Sequence, residues 1–436
     1  MRSEMRPLGE FVSLVSGNTP SKANAAYWGG TTPWVSAKDM GDFWIEDAED
    51  HLTPAGVDAA SRLVPAGTVL MLTRGMTLHK RVPICRVAKP STFNQDVKAV
   101  LPKASLSTRY LPYLLVGNHD RLHERVDSAG HGTGRLNTDS LLSFPVYVPG
   151  RGEQESIAEL GEAIDDRLRL LRQTNTTLES IAQALFKSWF IDFDPVRAKA
   201  EGREPEGMDA ATAALFPSEF EESESGLIPK GWRVEAVGGT AECVGGGTPS
   251  TKEADYWEPA IHHWATPKDL SGLGSPVLLE TERRLSNAGL AKVSSGLLPA
   301  GTLLMSSRAP IGYLAIAQMP LAVNQGFIAM KPGRALPPGF LYFWCQSNMD
   351  VIKQKANGST FMEISKTAFR PIPLVLPQSE IVARFASISN SLFARIAKGE
   401  RHRVQLADLR DTLLPRLISG KLRLPEAEEQ VEEALA

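Results

Sequence analysis

Residue types able to do chemistry are present in this chain, but their spacing assembles no reactive site. His119 and His123 stand four apart, which on a helix puts both rings on one face, as a pair of zinc ligands would be. No cysteine or third histidine lies near them in sequence, so a solvated helix face is the simpler reading. Gly245–Lys252 reads GGGTPSTK and lacks the Gly-Lys-Ser/Thr ending of a phosphate-cradling loop, so its glycines read as a turn. Asp192-Phe193-Asp194-Pro195 lacks the second proline and the aromatic residue of an amino-methyltransferase motif. No serine sits in a nucleophile elbow, and no glycine fingerprint for a nucleotide cofactor follows a strand. What remains is binding chemistry, carried by lysine, arginine, asparagine and threonine.

The elements that must position those residues occur twice. Thr19-Pro20-Ser21 returns as Thr248-Pro249-Ser250, Tyr27-Trp28 as Tyr256-Trp257, Trp34 as Trp264, and Lys38-Asp39 as Lys268-Asp269. VPAGTVLMLTR (Val64–Arg74) returns as LPAGTLLMSSR (Leu298–Arg308), Asn94-Gln95 as Asn324-Gln325, and FPVYVP (Phe144–Pro149) as IPLVLP (Ile372–Pro377). A constant order at a near-constant offset is a duplication with small loop changes. Within each copy, Thr68–Thr73, Pro83–Ala88 and Lys98–Leu101 read as short strands, matched by Thr302–Ser306, Tyr313–Ala317 and Gly326–Met330. Thr108–Val126 and Pro338–Lys355 have helical spacing. Each module is therefore expected to be α+β, with loops long enough to carry binding.

Each module is followed by a long helix. From Glu153 to Phe190, Ile157, Ile164, Leu171, Leu178 and Leu185 recur every seventh residue, with Leu168, Ala182 and Trp189 at the second seam position and Gly161 and Asn175 as its weak members. At about 1.5 Å per residue the helix is a rod of roughly 57 Å. A second seam runs from Gln378 to Leu417 through Ile381, Phe385, Ile388, Leu392, Leu406, Leu409 and Leu413, weakened at Arg395, Gly399 and His402. Pro415 is expected to bend or end it. Two such helices can bury each other as an antiparallel coiled coil. The expected order is module (residues 1–150), central helix (151–194), charged linker (195–229), module (230–377), distal helix (378–424) and acidic tail (425–436).

The chain has 436 residues and a net charge of −3. That figure hides a division: residues 201–229 carry −7 and the tail from Pro425 carries −5, leaving +9 on the rest. A basic body with acidic connectors suits a polyanionic partner, although solvated surfaces can look the same. Three widely separated cysteines, Cys85, Cys243 and Cys345, fit buried thiols in a reducing compartment. No apolar run is long enough for a signal peptide or a membrane span. The expectation is a soluble cytoplasmic protein with no membrane partner.

In this setting the chain resembles the specificity subunit of type I restriction–modification systems. The resemblance rests on GNTPS…YWGG…PWVSAKDM, AGTVLM, ALFKSWFIDFDPVRAKAEG, LFPSEF, GLIPKGW, GTLLMSSRAPIG, AVNQGF and LLPRLISGKL, in that order across nearly the whole length. It implies two target-recognition domains separated by two conserved helices, each domain reading one half of a split site in double-stranded DNA. It also implies two methyltransferase subunits as partners, which carry S-adenosylmethionine and methylate adenine N6, and motor-nuclease subunits as further partners. The specificity subunit itself holds no cofactor and no metal and catalyses nothing. Two other readings remain open: a coiled-coil scaffold joining two protein-binding modules without DNA recognition, and a self-contained methyltransferase, which the missing glycine motif disfavours.

The duplication also sorts the candidate DNA-binding residues. Residues identical in both modules cannot alone distinguish two half-sites, so Thr19 and Thr248, Lys38 and Lys268, and Arg74 and Arg308 are candidates for phosphate contact, or else scaffold. Asn94-Gln95 and Asn324-Gln325 suit adenine edges, but their repetition favours loop ties. Base readers belong where the copies diverge. Nineteen residues separate Arg74 from Asn94, and 15 separate Arg308 from Asn324; the first stretch holds His79, Lys80 and Arg81, the second Tyr313. A second divergent pair is Gly130–Thr138 against Asn357–Ser365, where Arg135 and Asn137 suit guanine and adenine edges and Ser359 and Glu363 occupy the matching region.

Overall fold

The computed structural model describes residues 4–60, 62–129, 132–333, 335–358 and 362–435, without the side chains of residues 128, 129 and 435. The chain forms two compact units, residues 1–169 with 404–436, and residues 170–403.

In the first unit, the strand order Val12–Ser16, Val97–Pro102, Val69–Leu72, Ile84–Val87, Trp44–Ile45 builds a five-stranded sheet. Its pairs are antiparallel except the last, which is parallel. The inner strands VLML and ICRV are buried along their whole length, as unbroken apolar runs should be. Gly67, at φ +83°, makes the turn that launches VLML, a backbone conformation that favours glycine. A smaller sheet sets Trp28–Val35 between antiparallel Asp50–Leu52 and parallel Thr92–Phe93. Arg6–Pro7 pairs with Pro145–Val146 and closes the module.

The second unit repeats this plan. Glu242–Val244, Phe327–Lys331, Leu303–Ser307, Ile311–Ala317 and Val277–Leu278 form the five-stranded sheet, again with only the last pair parallel. His262–Ala265 lies between antiparallel Arg283–Leu285 and parallel Leu321–Val323, and Arg233–Ala236 pairs with Pro373–Leu376. Gly301, at φ +85°, repeats the turn of Gly67. Both stretches with helical spacing split in two, at Leu111–Val116 and His119–His123, and at Pro338–Ser347 and Met349–Gln354. The reason is the same in each: Asn118 and Asn348 fold their side-chain amides back to the carbonyls of Leu114 and Trp344, at 2.8 and 2.9 Å, and stop the first helix.

The central helix spans Arg151–Phe190 and the distal helix Ser379–Ile418. Pro415 does not end the distal helix, which continues to Ile418. Proline lies in the last turn, and the carbonyl it leaves unbonded belongs to exposed Asp411, where water can satisfy it. In the first unit the early central helix meets the late distal helix: Arg410 donates to buried Asp165 at 2.9 Å, and Tyr113 donates to the same carboxylate at 2.8 Å. In the second unit the late central helix meets the early distal helix, with the Phe385 ring 5.8 Å from Phe186 and 5.1 Å from Phe190. In that unit Asn175 also lies against Gly399, so the two helices run antiparallel there.

Their seams are shared with the modules. Gly161 leaves room for the Tyr113 ring, which a Cβ there would meet at 2.5 Å. Phe186 and Phe190 pack on Phe340 at 5.0 and 4.8 Å. Each buried ring of this kind contributes about 1.5–3 kcal/mol, against a few tenths for an exposed helix pair, so ring packing dominates the helix–module contact.

The segment 195–229, expected to be a linker, is folded. It forms helices Asp194–Ala200 and Ala210–Leu215 and the hairpin Phe220–Ser223 with Gly226–Pro229. Val196, Phe216 and Ile228 are buried anchors beneath its acidic surface. Asp209 caps the second helix through Thr212 and pairs with Arg384 of the distal helix at 2.9 Å. The acidic tail is likewise a helix, Leu424–Leu435, with Ala427 and Val431 buried.

Candidate nucleic-acid interface

The polar residues common to both modules are mostly engaged in internal ties. Thr19 donates to Gln95 Oε1 at 2.5 Å, and Thr248 donates to Gln325 Oε1 at 2.5 Å. Asn94 Oδ1 accepts from the backbone of Asp96 and Val97, and Asn324 Oδ1 from that of Gly326. The tryptophans form T-shaped pairs at 5.2 Å, Trp28 with Trp34 and Trp257 with Trp264. Their indole N–H groups donate to the carbonyls of Ser21, Asn18, Ser250 and Gly247, which pins each Thr-Pro-Ser turn to its sheet. Asp39 and Asp269 each bind two backbone amides, those of Ser36 and Glu49 and those of Thr266 and Glu282.

The repeated lysines face carboxylates. Lys38 lies 2.9 Å from Glu49 and 3.2 Å from Asp50, and Glu49 foremost holds its ammonium above the ordinary value. Lys268 reaches Glu282 at 2.5 Å. Both pairs are open to solvent, where such bridges are weak and exchange readily.

In the divergent stretches some residues make internal ties and others are left open to solvent. Arg81 donates to the carbonyls of Met40 and Gly41 at 2.9 and 3.1 Å and fastens its own loop. His119 accepts from the Val82 amide, and His123 and His79 bond the carbonyls of Leu78 and Gly132. The two helical histidines stack at 6.2 Å, and no metal-holding cluster occurs among the described residues. Asn137 caps helix Thr138–Leu142 by accepting from Asp139 N at 3.1 Å. Lys80 is exposed and has no ion pair among the described residues. Tyr313 lines a pocket of about 280 Å³ with Leu270, Tyr342 and Met349. Ser359 lies outside the described residues.

Arg74 and Arg135 come together. In a three-stranded sheet, Arg135 is the register partner of Arg74 on one side and of Asp127 on the other. All three are exposed, while Gly134, the residue before Arg135 on its strand, is buried against Leu78 and Val126. Neither arginine has an ion pair among the described residues. The second module has the same row as isolated bridges: Glu363 pairs with Arg308 on one side and Asn357 on the other. The two rows are thus Asp127–Arg135–Arg74 and Asn357–Glu363–Arg308. A straight match of the two loops sets Met362 opposite Arg135, a slip of one residue; strand pairing puts Glu363 there, with Ser365 capping the next helix as Asn137 does. The sequence places Glu363 in the matching loop, but its pairing with Arg135, and the flanking Asn357 and Asp127, emerge only from the strand register.

The arrangement is a duplicated scaffold with divergent polar rows. Residues 2–180 and 229–405 match the family model described as type I restriction modification DNA specificity domain. This chain belongs to that family. As a specificity subunit it serves DNA sequence recognition, in complexes with DNA and other subunits, and such subunits are non-catalytic. It is 26% identical over 436 residues to the Type I restriction enzyme MjaIX specificity subunit of Methanocaldococcus jannaschii, covering 97% of this chain and 94% of that one. It is 28% identical over 329 residues to the HindI specificity subunit of Haemophilus influenzae, covering 66% and 71%. The fold is that of the type I S subunit from M. genitalium, with a TM-score of 0.53, 13% identity and 95% of each chain covered. Among the described residues no helix of this specificity subunit is long and apolar enough to cross a membrane.

Proposed function

We propose that each module reads one half of a bipartite site in double-stranded DNA and that the helix pair sets the unread gap. The observation that carries this reading is the duplication. One scaffold is built twice with the same internal ties, and the two copies differ in the rows that hold exposed Arg135 and half-buried Glu363. Shared scaffold with divergent contacts is what two different half-sites require.

In this reading Arg74, Lys80 and Arg135 supply the principal contacts of the first module, and Arg308 and Tyr313 those of the second. Contact by Lys38 or Lys268 with phosphate requires the phosphate to displace their carboxylates. Arg81, Asn137, Thr19 and Thr248 act by shaping the loops. The outer faces of the helices dock two methyltransferase subunits, which bind the S-adenosylmethionine and modify adenine N6; this chain holds no cofactor. Motor-nuclease subunits join that core, and the complex works in the cytoplasm.

The test is duplex binding by this chain together with its methyltransferase partner. Tight, salt-sensitive and sequence-selective binding supports the reading. Binding to protein partners with no affinity for DNA would support a scaffold instead.

A further inference from the structure

Like charges directly opposite on neighbouring strands are destabilising. The first module nonetheless sets Arg135 opposite Arg74, both exposed and neither ion-paired among the described residues. Asp127, on the far side of Arg135, is its register partner and leaves the row with a net positive charge. In the second module Glu363 stands where Arg135 stands, 3.5 Å from Arg308, and Asn357 replaces Asp127. That row is neutral. The inward face of the first row is closed by Gly134, whose added Cβ would meet Leu78 at 2.7 Å, so the charged side chains have only the outer face.

The two central side chains have opposite requirements. A guanidinium fork donates two hydrogen bonds and matches the O6 and N7 acceptors of guanine. A carboxylate only accepts, and near a phosphate backbone it is repelled unless a donor meets it; cytosine N4 is the base donor that glutamate takes. Arg308, held at the flank of Glu363, orients that carboxylate as Arg74 flanks Arg135.

We infer that this one position sets base identity in both half-sites, Arg135 selecting guanine in the first and Glu363 selecting cytosine in the second. The inference rests on the reading of two modules as two half-site readers. It goes further in naming the residue pair and the base each takes.

The experiment is co-expression of the full chain with its methyltransferase partner, followed by mapping of N6-methyladenine across the host genome. Wild type is compared with R135E, E363R and Arg135→Ala. R135E recreates the second module's central charge in the first module. It should replace guanine by cytosine at one position of one half-site, with a shift in preference of roughly tenfold or more. E363R should do the reverse in the other half-site, and Arg135→Ala should leave its position unspecified. Each variant should unfold at a temperature near that of wild type, which separates lost readout from lost fold. A bipartite wild-type motif that all three variants retain, with methylation merely reduced, would overturn this inference alone. A wild-type complex that marks no bipartite motif would overturn the half-site reading beneath it.

Discussion

Asn175 of the central helix lies against Gly399 of the distal helix: a Cβ on the glycine would stand 2.6 Å from the Asn175 amide oxygen. The weak members of two apolar seams thus face each other. Asn175 is 7% exposed, and its amide nitrogen has no hydrogen-bond partner among the described residues. A polar seam residue that fits only where the facing helix lacks a side chain favours one register at some cost in stability. Alanine at 399 gains about 1 kcal/mol of helix propensity but adds a methyl to filled space, which costs about 1–3 kcal/mol. Gly399→Ala should therefore lower the unfolding midpoint, and the same change in an Asn175→Ala background should raise it. Additive effects of the two substitutions in denaturant unfolding would remove the steric coupling.

The buried Asp165 gives a second prediction. Burial pushes its carboxyl above the ordinary value, while Arg410 and Tyr113 pull against that shift. A carboxyl raised in the folded state contributes stability below its unfolded value and loses it as pH rises through the folded one. Arg410→Leu removes the main opposing charge and strands the carboxylate, costing about 3–5 kcal/mol near neutral pH. The deficit against wild type should shrink as pH falls and Asp165 takes up a proton. Unfolding titrations at several pH values check this; a deficit independent of pH would refute it.

Asp209 behaves oppositely. The Thr212 hydroxyl first, then the Thr212 amide and Arg384, hold its carboxyl down at about 2. Its contribution is present above the ordinary value of 3.8 and is lost as pH falls toward about 2. Asp209→Ala should increase protease cleavage in segment 201–215 and leave the methylated motif unchanged. Cleavage equal to wild type would show that the segment is held without this cap.

Phosphate contact is separable from scaffolding by salt. Arg74→Ala should weaken binding to all sequences and reduce the salt slope by about 1. Lys38→Ala, whose ammonium already faces Glu49 and Asp50, should change the slope less. The reverse order would move the phosphate contact to the lysines.

Much of this was legible in the chain. The seams Glu153–Phe190 and Gln378–Leu417 fall within two residues of the observed helix ends, because a seam is written in side-chain type alone, whereas the wider bounds 151–194 and 378–424 overrun the ends at Phe190 and Ile418. The repeated motifs gave the duplication. Gly161 looked like a seam defect because the Tyr113 ring that fills its place comes from residues far away in sequence. Segment 195–229 read as linker because its charge, glycine and proline outnumber the few anchors, Val196, Phe216 and Ile228, that fold it. The match of Arg135 to Glu363 required strand register, since a slip of one residue reverses which side chains share a face. The repeated lysines stood out as basic residues, but Glu49 and Glu282, which they meet, lie 11 and 14 positions further along.

The most direct test of two readers joined by a helix pair is the map of N6-methyladenine from cells co-expressing this chain and its methyltransferase partner. It should be made for wild type and for a variant lacking one heptad from each long helix. The account predicts one motif of two short specified halves, with the same halves and a shorter gap in the variant. An unbroken motif, or a gap unchanged by the deletion, would contradict it.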